Sequence, residues 1–285
     1  MKNQHAKNVL ELSFATLLIS TSAVLGKYID MPTAVIIWWR ASLALLILFA
    51  FCKFQNINLK LGSKKDIFIL IATGILLSMH WLTYFHSIKV SNVSIGMLSL
   101  FTFPAITSIL EPILTKTHFN KAHLVLALLV VVGIYIIAPE FSLQNSSFKG
   151  IIWGLVSAVF FSLRNIILKK NTTAYNGVTV MLYQLVVATM FLAPVMFMFD
   201  SSNIKTQYPY IILLAVLVTA IGHSLFIKSF KHFTASTASI IVSSQPIFGI
   251  ILAYAFLSEI PAKNTFIGGA IIIATVVFES IRSKK

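Results

Sequence analysis

Residues suited to anion binding share one face of a predicted helix in the second half of the chain. Ser157, Phe161, Arg164 and Asn165 follow the spacing i, i+4, i+7 and i+8, which places their side chains on one side of a helix. A guanidinium beside an amide can hold a carboxylate through two hydrogen bonds. This pattern predicts a substrate-binding role for Arg164 and Asn165. The sequence leaves open the alternative that Arg164 extends toward the lysines at the end of its helix.

Aromatic and imidazole side chains cluster on another predicted helix. His80 and Tyr84 are four residues apart and share a face, whereas Trp81 is rotated from His80 by about 100°. Such residues are typical of a cavity for an amphipathic metabolite. His80 and His223 can each take up a proton near neutral pH, which makes protons a candidate coupling ion. The alternative for both histidines is a structural hydrogen bond between helices.

Two proline-containing segments resemble each other. Pro104 and Pro246 lie 142 positions apart, and each follows a run of small and hydroxylated residues. A proline in a helix frees a backbone carbonyl, which is tolerated where neighbours or a cavity satisfy it. The alternative is that the small residues serve only close helix packing. We expect a cavity role for the polar residues beside the two prolines, namely Thr102, Ser243, Ser244 and Gln245.

Two charged residues inside apolar segments are interpreted as structural or gating positions, together with the two prolines. Arg40 is expected to tie helices together through hydrogen bonds to backbone carbonyls, with direct substrate contact as the alternative. Glu111 lies near the end of its segment. We expect it to pair with a lysine such as Lys116 rather than to take part in proton coupling.

Motifs of known catalytic chemistry are missing from the sequence. It contains no GxSxG, HExxH, GxxxxGK[ST] or GxGxxG pattern. Cys52 is the single cysteine, which excludes an intramolecular disulfide and a CxxC metal site. We therefore predict that the chain is not an enzyme and needs neither a cofactor nor a metal.

Composition assigns the chain to a class. Hydrophobic residues make up 58% of its 285 residues and charged residues 11%, and the mean hydropathy is +0.90. A soluble protein of this length could not keep so much apolar surface from water, so the sequence indicates a membrane protein. The net charge of +14 is spread over short clusters between apolar runs. This pattern favours contact with anionic membrane lipids and argues against nucleic acid.

The apolar runs are long and do not alternate, which favours helices over a β-barrel. The predicted fold class is therefore an all-α polytopic membrane protein. Removal of the first run as a signal peptide is rejected, because it would leave its repeat partner unpaired. We predict ten transmembrane helices, at residues 10–29, 33–52, 67–88, 92–115, 121–139, 149–169, 178–199, 209–230, 234–257 and 264–281.

The distribution of lysine and arginine predicts the orientation. With a cytoplasmic N-terminus, the inner segments hold 15 basic residues and the outer segments 5, so both termini are expected to be cytoplasmic. The spacing of 142 also pairs Lys27 with Lys169 and Lys89 with Lys231, which indicates an internal repeat. The predicted repeats are residues 1–143 and 144–285. Because each contains five helices, an odd number, they enter the membrane in inverted topology.

The whole chain resembles the ten-helix, EamA-type branch of the drug/metabolite transporter superfamily. The resemblance rests on WWRASLALLIL early in the second helix, on LFTFPAITSILEPIL in the fourth, and on QPIFGIILAYAFLSEIP in the ninth. The ten spans, the duplication and the paired prolines agree with that family. The sequence departs from the family pattern at Thr117, where members usually have a glutamate.

The resemblance implies a secondary transporter that works by alternating access in the bacterial cytoplasmic (inner) membrane. The implied substrate is a small metabolite such as an amino acid or related zwitterion, and the implied direction is export. Two alternatives remain open, a flippase for a lipid-linked intermediate and a membrane scaffold without transport. The oligomeric state, monomer or homodimer, is also left open.

Overall fold

The computed structural model describes residues 2–116, 122–137, 142–169, 175–229, 231–233, 242 and 244–282. Every regular element in these ranges is helical. The helices are α1 (Lys2–Tyr28), α2 (Thr33–Phe54), α3 (Lys64–Val90), α4 (Val93–Leu100), α5 (Phe103–Thr115), α6 (Ala122–Ile137), α7 (Ser146–Lys169), α8 (Gly177–Leu192), α9 (Val195–Met198), α10 (Ile204–Leu213), a π-helical segment (Leu214–His223), α11 (Ser224–Ser229), α12 (Gln245–Leu257) and α13 (Lys263–Arg282).

Helices long and apolar enough to cross a membrane dominate the described ranges. Seven segments meet this condition, and they contain α1, α2, α3, α4 with α5, α7, α8 with α9, and α10 through α11. Two shorter apolar stretches, Leu128–Ile137 and Gln245–Leu257, fall within the fifth and ninth predicted spans. The all-helical, multi-pass fold is confirmed. The count of ten helices and the cytoplasmic position of both termini stay predictions.

The fourth predicted span is broken in the middle. Helix α4 ends at Leu100, and α5 begins at Phe103 with Pro104 in its first turn. The Thr102 hydroxyl donates to the Ser99 carbonyl oxygen at 2.8 Å, which satisfies part of the backbone at the break. The carbonyl oxygen of Phe103 accepts a hydrogen bond from the Ser162 hydroxyl of α7 at 3.0 Å. The break is therefore held in place by the neighbouring helix, as expected for irregular backbone at membrane depth.

The two halves of the chain pack against each other through several helix pairs. Helix α3 contacts α7 and α8, while α1 contacts the π-helical segment and α12. The pair α3 with α7 and the pair formed by the π-helical segment with α1 occupy corresponding positions when the sequence is shifted by 142 residues. Helices α6 and α13 pack on each other, with Gly133 and Gly268 at their contact.

Small residues allow α7 to approach α3 and α4 closely. A Cβ atom added to Gly154 would lie 3.3 Å from the Ser87 hydroxyl oxygen and would also overlap the Ser99 side chain. Gly150 meets Ser91 in the same way, and its carbonyl oxygen accepts a hydrogen bond from the Ser87 hydroxyl at 2.6 Å. The backbones can therefore come together only because these positions carry no side chain.

Two lysines join α1 and α3 at one end of the bundle, which we call the outer end after its predicted orientation. The Lys27 ammonium donates to the carbonyl oxygens of Ile88, Lys89 and Ser91 at 2.9, 3.2 and 2.7 Å. The Lys89 ammonium donates to those of Ile29 and Met31 at 2.7 and 2.9 Å. Each cation thus satisfies carbonyl groups at the C-terminal end of the other helix, where the helix dipole favours positive charge. We call this pair the lysine clamp.

A third contact closes the same end. The Glu259 carboxylate, beyond the end of α12, accepts a hydrogen bond from the Val93 backbone N–H at 2.9 Å. Val93 is the first residue of α4, so the carboxylate lies where the helix dipole favours negative charge. The lysine clamp and this contact together connect the outer ends of four helices.

Replacing Gly154 by leucine is expected to destabilise the fold. The new side chain would force α7 away from Ser87 and Ser99, at a cost of about 1–3 kcal/mol for overpacking. The thermal unfolding temperature of the purified protein in detergent measures this loss. Val159→Leu is the matched control, since Val159 lies on the exposed side of the same helix with 39% of its surface accessible. Equal unfolding temperatures for the two variants would contradict the close approach.

Candidate functional site

A small central cavity lies where the two halves meet, and its volume is about 40 Å³. That volume is far below the ~300–1,000 Å³ of typical ligand sites, so the cavity is closed in this conformation. Its walls come from α1, α3, the α4–α5 break, α7, the π-helical segment, α11 and the start of α12. The lining residues are Thr16, Ile19, Ser22, His80, Trp81, Tyr84, Leu100, Phe101, Phe103, Phe161, His223, Phe226, Val242 and Gln245.

A buried arginine holds one side of this cavity together. Arg40 of α2 has no accessible surface. Its Nε donates to the Thr219 hydroxyl at 2.6 Å, and one terminal nitrogen donates to the Ser22 hydroxyl at 3.4 Å. The other terminal nitrogen lies 3.3 Å from Nε2 of His223, and the guanidinium carbon lies 4.1 Å from the centre of the Trp81 ring. Arg40 therefore joins α2 to α1 and to the π-helical segment, and its partners are side chains rather than backbone carbonyls.

The geometry of this contact decides which nitrogen of His223 carries the proton. A guanidinium has only donors, so Nε2 of His223 must be the acceptor. In the neutral imidazole the hydrogen then lies on Nδ1. Nδ1 is buried and has no hydrogen-bond partner among the described residues. His223, a residue of the cavity wall, thus carries a buried N–H donor without a partner among the described residues.

The π-helical segment positions both partners of Arg40 from the second half. Thr219 and His223 lie in this segment, and the Thr219 hydroxyl lies 3.1 Å from the Leu214 carbonyl oxygen, five residues earlier. The π-helix is rare and occurs frequently at functional sites because it redirects side chains. Here it brings Thr219 and His223 to the same guanidinium.

Among the described residues, the ring nitrogen without a partner is Nε2 in His80, whereas in His223 it is Nδ1. The Ser157 hydroxyl lies 2.8 Å from the His80 carbonyl oxygen and 2.8 Å from His80 Nδ1. Its single hydrogen goes to the carbonyl, so Nδ1–H of the ring must donate to the serine oxygen. Nε2 of the neutral ring is then an acceptor. The ring also stacks on Phe161, with centroids 4.6 Å apart.

Tyr84 adds a second donor to the wall. It is 4% exposed, and its hydroxyl has no hydrogen-bond partner among the described residues. Its ring lies parallel to that of His80, with centroids 6.1 Å apart. Trp81, which sequence spacing places on a different side of α3, also lines the cavity, and its ring packs against the Arg40 guanidinium and lies 5.7 Å from the His223 ring.

Arg164 does not line the cavity. It is fully buried, and its terminal nitrogens donate to Gln184 Oε1 at 2.6 Å and to Asn165 Oδ1 at 3.2 Å. Within the described residues, no carboxylate forms an ion pair with Arg164 or with Arg40. In this conformation Arg164 therefore joins α7 to α8, and Asn165 is occupied by Arg164.

The other predicted positions are divided. Gln245 lines the cavity, and Pro246 is buried beside it in the first turn of α12. Thr102 is buried at the α4–α5 break but is not a lining residue. Ser244 and Glu111 are partly buried, and Glu111 lies near the inner end of α5. Ser243 lies outside the described residues.

Sequence reasoning missed several residues of the site. Thr219 and Ser22 bind Arg40, and Phe101 and Phe103 form aromatic walls beside Phe161, which the sequence pattern had placed on the face of Arg164. One signal was available, because Trp81 and His223 lie 142 positions apart and their rings are neighbours in the structure. Within the described part of the chain, no cluster of three or more His, Cys, Asp or Glu side chains could hold a metal ion.

Comparison with known proteins gives the family. The sequence profile of the EamA-like transporter family matches the chain twice, over residues 8–138 and 148–281. The pseudopaline exporter of Pseudomonas aeruginosa is 23% identical over 90% of this chain and 88% of its own length. The S-adenosylmethionine uptake transporter of Rickettsia prowazekii is 21% identical over 93% and 90%, and an uncharacterised transporter of Bacillus subtilis is 21% identical over 98% and 91%.

A protein of known crystal structure also shares the fold. It superposes with a TM-score of 0.70 over 98% of both chains, at 14% identity, a likeness that concerns the fold alone. The two profile matches, by contrast, cover nearly the whole sequence. The relatives named as transporters align with this chain over almost their full length. The chain therefore belongs to the EamA-like transporter family and is a multi-pass membrane transporter of small molecules, not an enzyme.

Proposed function

We propose that this protein exports a small zwitterionic metabolite, an amino acid or related compound, across the cytoplasmic membrane of a bacterium by alternating access. The observation that carries the proposal is the closed cavity between the two halves, whose polar atoms complement the two charged ends of such a substrate. Secondary transporters built from inverted repeats bind substrate in this position.

The donors at the cavity wall favour a carboxylate. The N–H of His223 and the hydroxyl of Tyr84 both lack partners among the described residues, and both residues line the cavity. A carboxylate has only acceptors, so it satisfies two such donors at once. The Arg40 cation lies directly behind His223 and adds positive potential.

The opposite charge of the substrate has a complementary surface as well. The free Nε2 of His80 is an acceptor for an ammonium group, and the faces of Trp81 and Phe161 attract cations through their ring electrons. Phe101 and Phe103 extend the apolar wall for the remainder of the molecule. Donors, an acceptor and aromatic rings around one cavity suit a zwitterion better than a purely anionic or purely apolar compound.

Alternating access explains why the cavity is closed. A space of about 40 Å³ does not accommodate an amino acid, so substrate enters only after the two halves move apart at one end. We propose that the lysine clamp and the Glu259 contact are the outer closure. Because the clamp joins two helices of residues 1–143, opening the outer end separates α1 from α3 in addition to rocking residues 1–143 against residues 144–285. The matching contacts of α3 with α7 and of α1 with the π-helical segment support this two-part, inverted organisation.

Relatives do not decide the direction of transport, because one is named an exporter and another an uptake transporter. We propose export because the family resemblance of the sequence implies that direction. We propose protons as the coupling ion, with His223 as the group that carries the proton. The remaining predicted substrate-binding residues, Arg164 and Asn165, Thr102, Ser243 and Ser244, are proposed to reach the substrate only in other conformations.

Removal of the Tyr84 hydroxyl, one of the two proposed donors, is expected to weaken substrate binding. Tyr84→Phe removes only the hydroxyl, and the loss of a hydrogen bond to a charged group costs about 1.5–3 kcal/mol, or roughly tenfold or more in KM. Flux of labelled amino acids in proteoliposomes measures this change. Tyr254→Phe is the control, since Tyr254 is 62% exposed on α12. An unchanged KM in Tyr84→Phe would contradict the carboxylate site, and flux of a lipid-linked substrate alone would favour a flippase.

His223 allows binding and proton coupling to be separated. Asparagine retains an N–H donor but cannot take up a proton. We expect His223→Asn to exchange labelled substrate across the membrane yet to lose accumulation driven by a pH gradient, whereas His223→Leu loses both. His86→Asn, at a histidine of α3 that does not line the cavity, is the control. Gradient-driven accumulation that persists in His223→Asn would exclude His223 as the proton carrier.

The lysine clamp is expected to control access from the outer side. In the double variant Lys27→Met and Lys89→Met, five hydrogen bonds between α1 and α3 are lost, so the outer end should open more often. A cysteine placed at the lining residue Leu100 reports this opening through its rate of labelling by a membrane-impermeant maleimide added outside. The rate should rise several-fold.

The native Cys52 does not interfere with that labelling, because it is 1% exposed and lies at the inner end of α2. Lys149→Met serves as the control, since Lys149 is an exposed lysine near the same end of the bundle. An equal labelling rate in the clamp variant and the control would show that the clamp is not the outer closure.

A further inference from the structure

A second, larger cavity opens on the side of the bundle, away from the central one. It is a groove of about 930 Å³ between the last turn of α2, the loop of residues 55–63, the first turns of α3, and α8. None of its lining residues lines the central cavity. Its volume is within the range of ligand sites, and the proposed transport mechanism does not use it.

The walls of the groove are apolar and reach into the membrane. Its lining includes Leu70 and Ile71 of α3 and Val187 and Met190 of α8. Along α8 the lining extends from Tyr183 to Met190, which is about 10 Å at 1.5 Å per residue. Ile71 is 42% exposed and Met190 is 73% exposed, so the groove is open toward lipid.

Two lysines stand at the mouth of the groove. Lys53 and Lys60 are exposed lining residues at the end of the bundle opposite the lysine clamp. Within the described residues, neither lysine forms an ion pair with a carboxylate. The nearby acid Asp66 is engaged by the hydroxyls of Ser63 and Tyr175, at 2.9 and 2.7 Å. Two positive charges therefore lack an anionic partner at the level where lipid headgroups lie.

The mouth is preformed by backbone hydrogen bonds. Helix α2 ends in a Schellman motif, in which Asn56 adopts a left-handed conformation with φ of 50°. Its N–H donates to the Lys53 carbonyl oxygen, and the Ile57 N–H donates to that of Cys52. The Tyr183 hydroxyl of α8 then holds the loop by donating to the Leu59 carbonyl oxygen at 2.7 Å. The loop is thus fixed against α8, with a lysine on each side of the turn.

We infer that this groove binds one anionic phospholipid, with an acyl chain along α8 and the phosphate beside Lys53 and Lys60. An apolar wall open to the bilayer selects a hydrocarbon chain, and two ammonium groups without a carboxylate partner among the described residues select negative charge at its polar end. A zwitterionic lipid is disfavoured because its own cation would lie near the lysines. The site needs no substrate and stands whether or not the proposed transport is correct.

Photo-crosslinking to the intact chain tests the site. The protein is reconstituted in phosphatidylcholine nanodiscs with a trace of phosphatidylglycerol that carries a diazirine in its acyl chain, and labelled peptides are mapped by mass spectrometry. We expect labelling of α8 around Val186–Met190, displaced by unlabelled phosphatidylglycerol but not by added phosphatidylcholine. The double variant Lys53→Gln and Lys60→Gln should weaken the competition by roughly fivefold or more, since each lysine near an anionic lipid contributes separately.

The control is Lys64→Gln with Lys65→Gln, which removes two exposed lysines at the same end that do not line the groove. It should label like the unmodified chain, and all variants should unfold at the same temperature. Equal displacement by phosphatidylcholine, or equal labelling in both double variants, would overturn the inference by showing non-selective contact with bulk lipid. Displacement by soluble glycerol phosphate alone would also overturn it, because the site would then recognise phosphate without a lipid chain.

Discussion

The burial of the Arg40 guanidinium is the constraint on which the arrangement of the central cavity depends. A charge at membrane depth costs about 2.5–3.5 kcal/mol on insertion scales. The structure offsets this cost with two hydroxyls, an imidazole nitrogen and the face of Trp81. These partners come from α1, α3 and the π-helical segment, so one cation on α2 fixes four segments of the chain relative to one another. It also fixes the tautomer of His223, which leaves a donor at the cavity wall.

Each half of the chain buries one arginine between its first two helices, but the two are placed differently. Arg40 on α2 donates to Ser22 on α1, whereas Arg164 on α7 donates to Gln184 on α8. Ser22 and Arg164 occupy equivalent positions at the spacing of 142, so the cation is carried by opposite members of the helix pair. Arg40 reaches a residue of the cavity wall, and Arg164 does not line the cavity. The two family matches therefore differ in which helix carries the buried arginine and in whether that arginine contacts a residue of the cavity wall.

The central cavity and the groove beside α8 differ in size, in how open they are and in the polarity of their walls. The central cavity is small, about 40 Å³, and two of its lining residues, Tyr84 and His223, each carry a buried polar atom without a hydrogen-bond partner among the described residues. The groove beside α8 is wide and open along its length, with apolar walls and cations only at its mouth. Exposure of large apolar side chains there is tolerated because the surrounding solvent is hydrocarbon.

Hydropathy and basic-residue counts within the sequence determined the class of fold, because a membrane helix is specified locally by about 20 apolar residues. The same local information singled out His80, Trp81, Tyr84, His223 and Gln245, all of which line the cavity. Only the tertiary structure decided that Arg40 rather than Arg164 contacts the cavity-lining residue His223, because the Arg40 contacts join residues up to 183 positions apart. The π-helical segment and the phenylalanine walls also arise from packing between helices, and no periodicity in a single helix encodes which distant partner its polar face will meet.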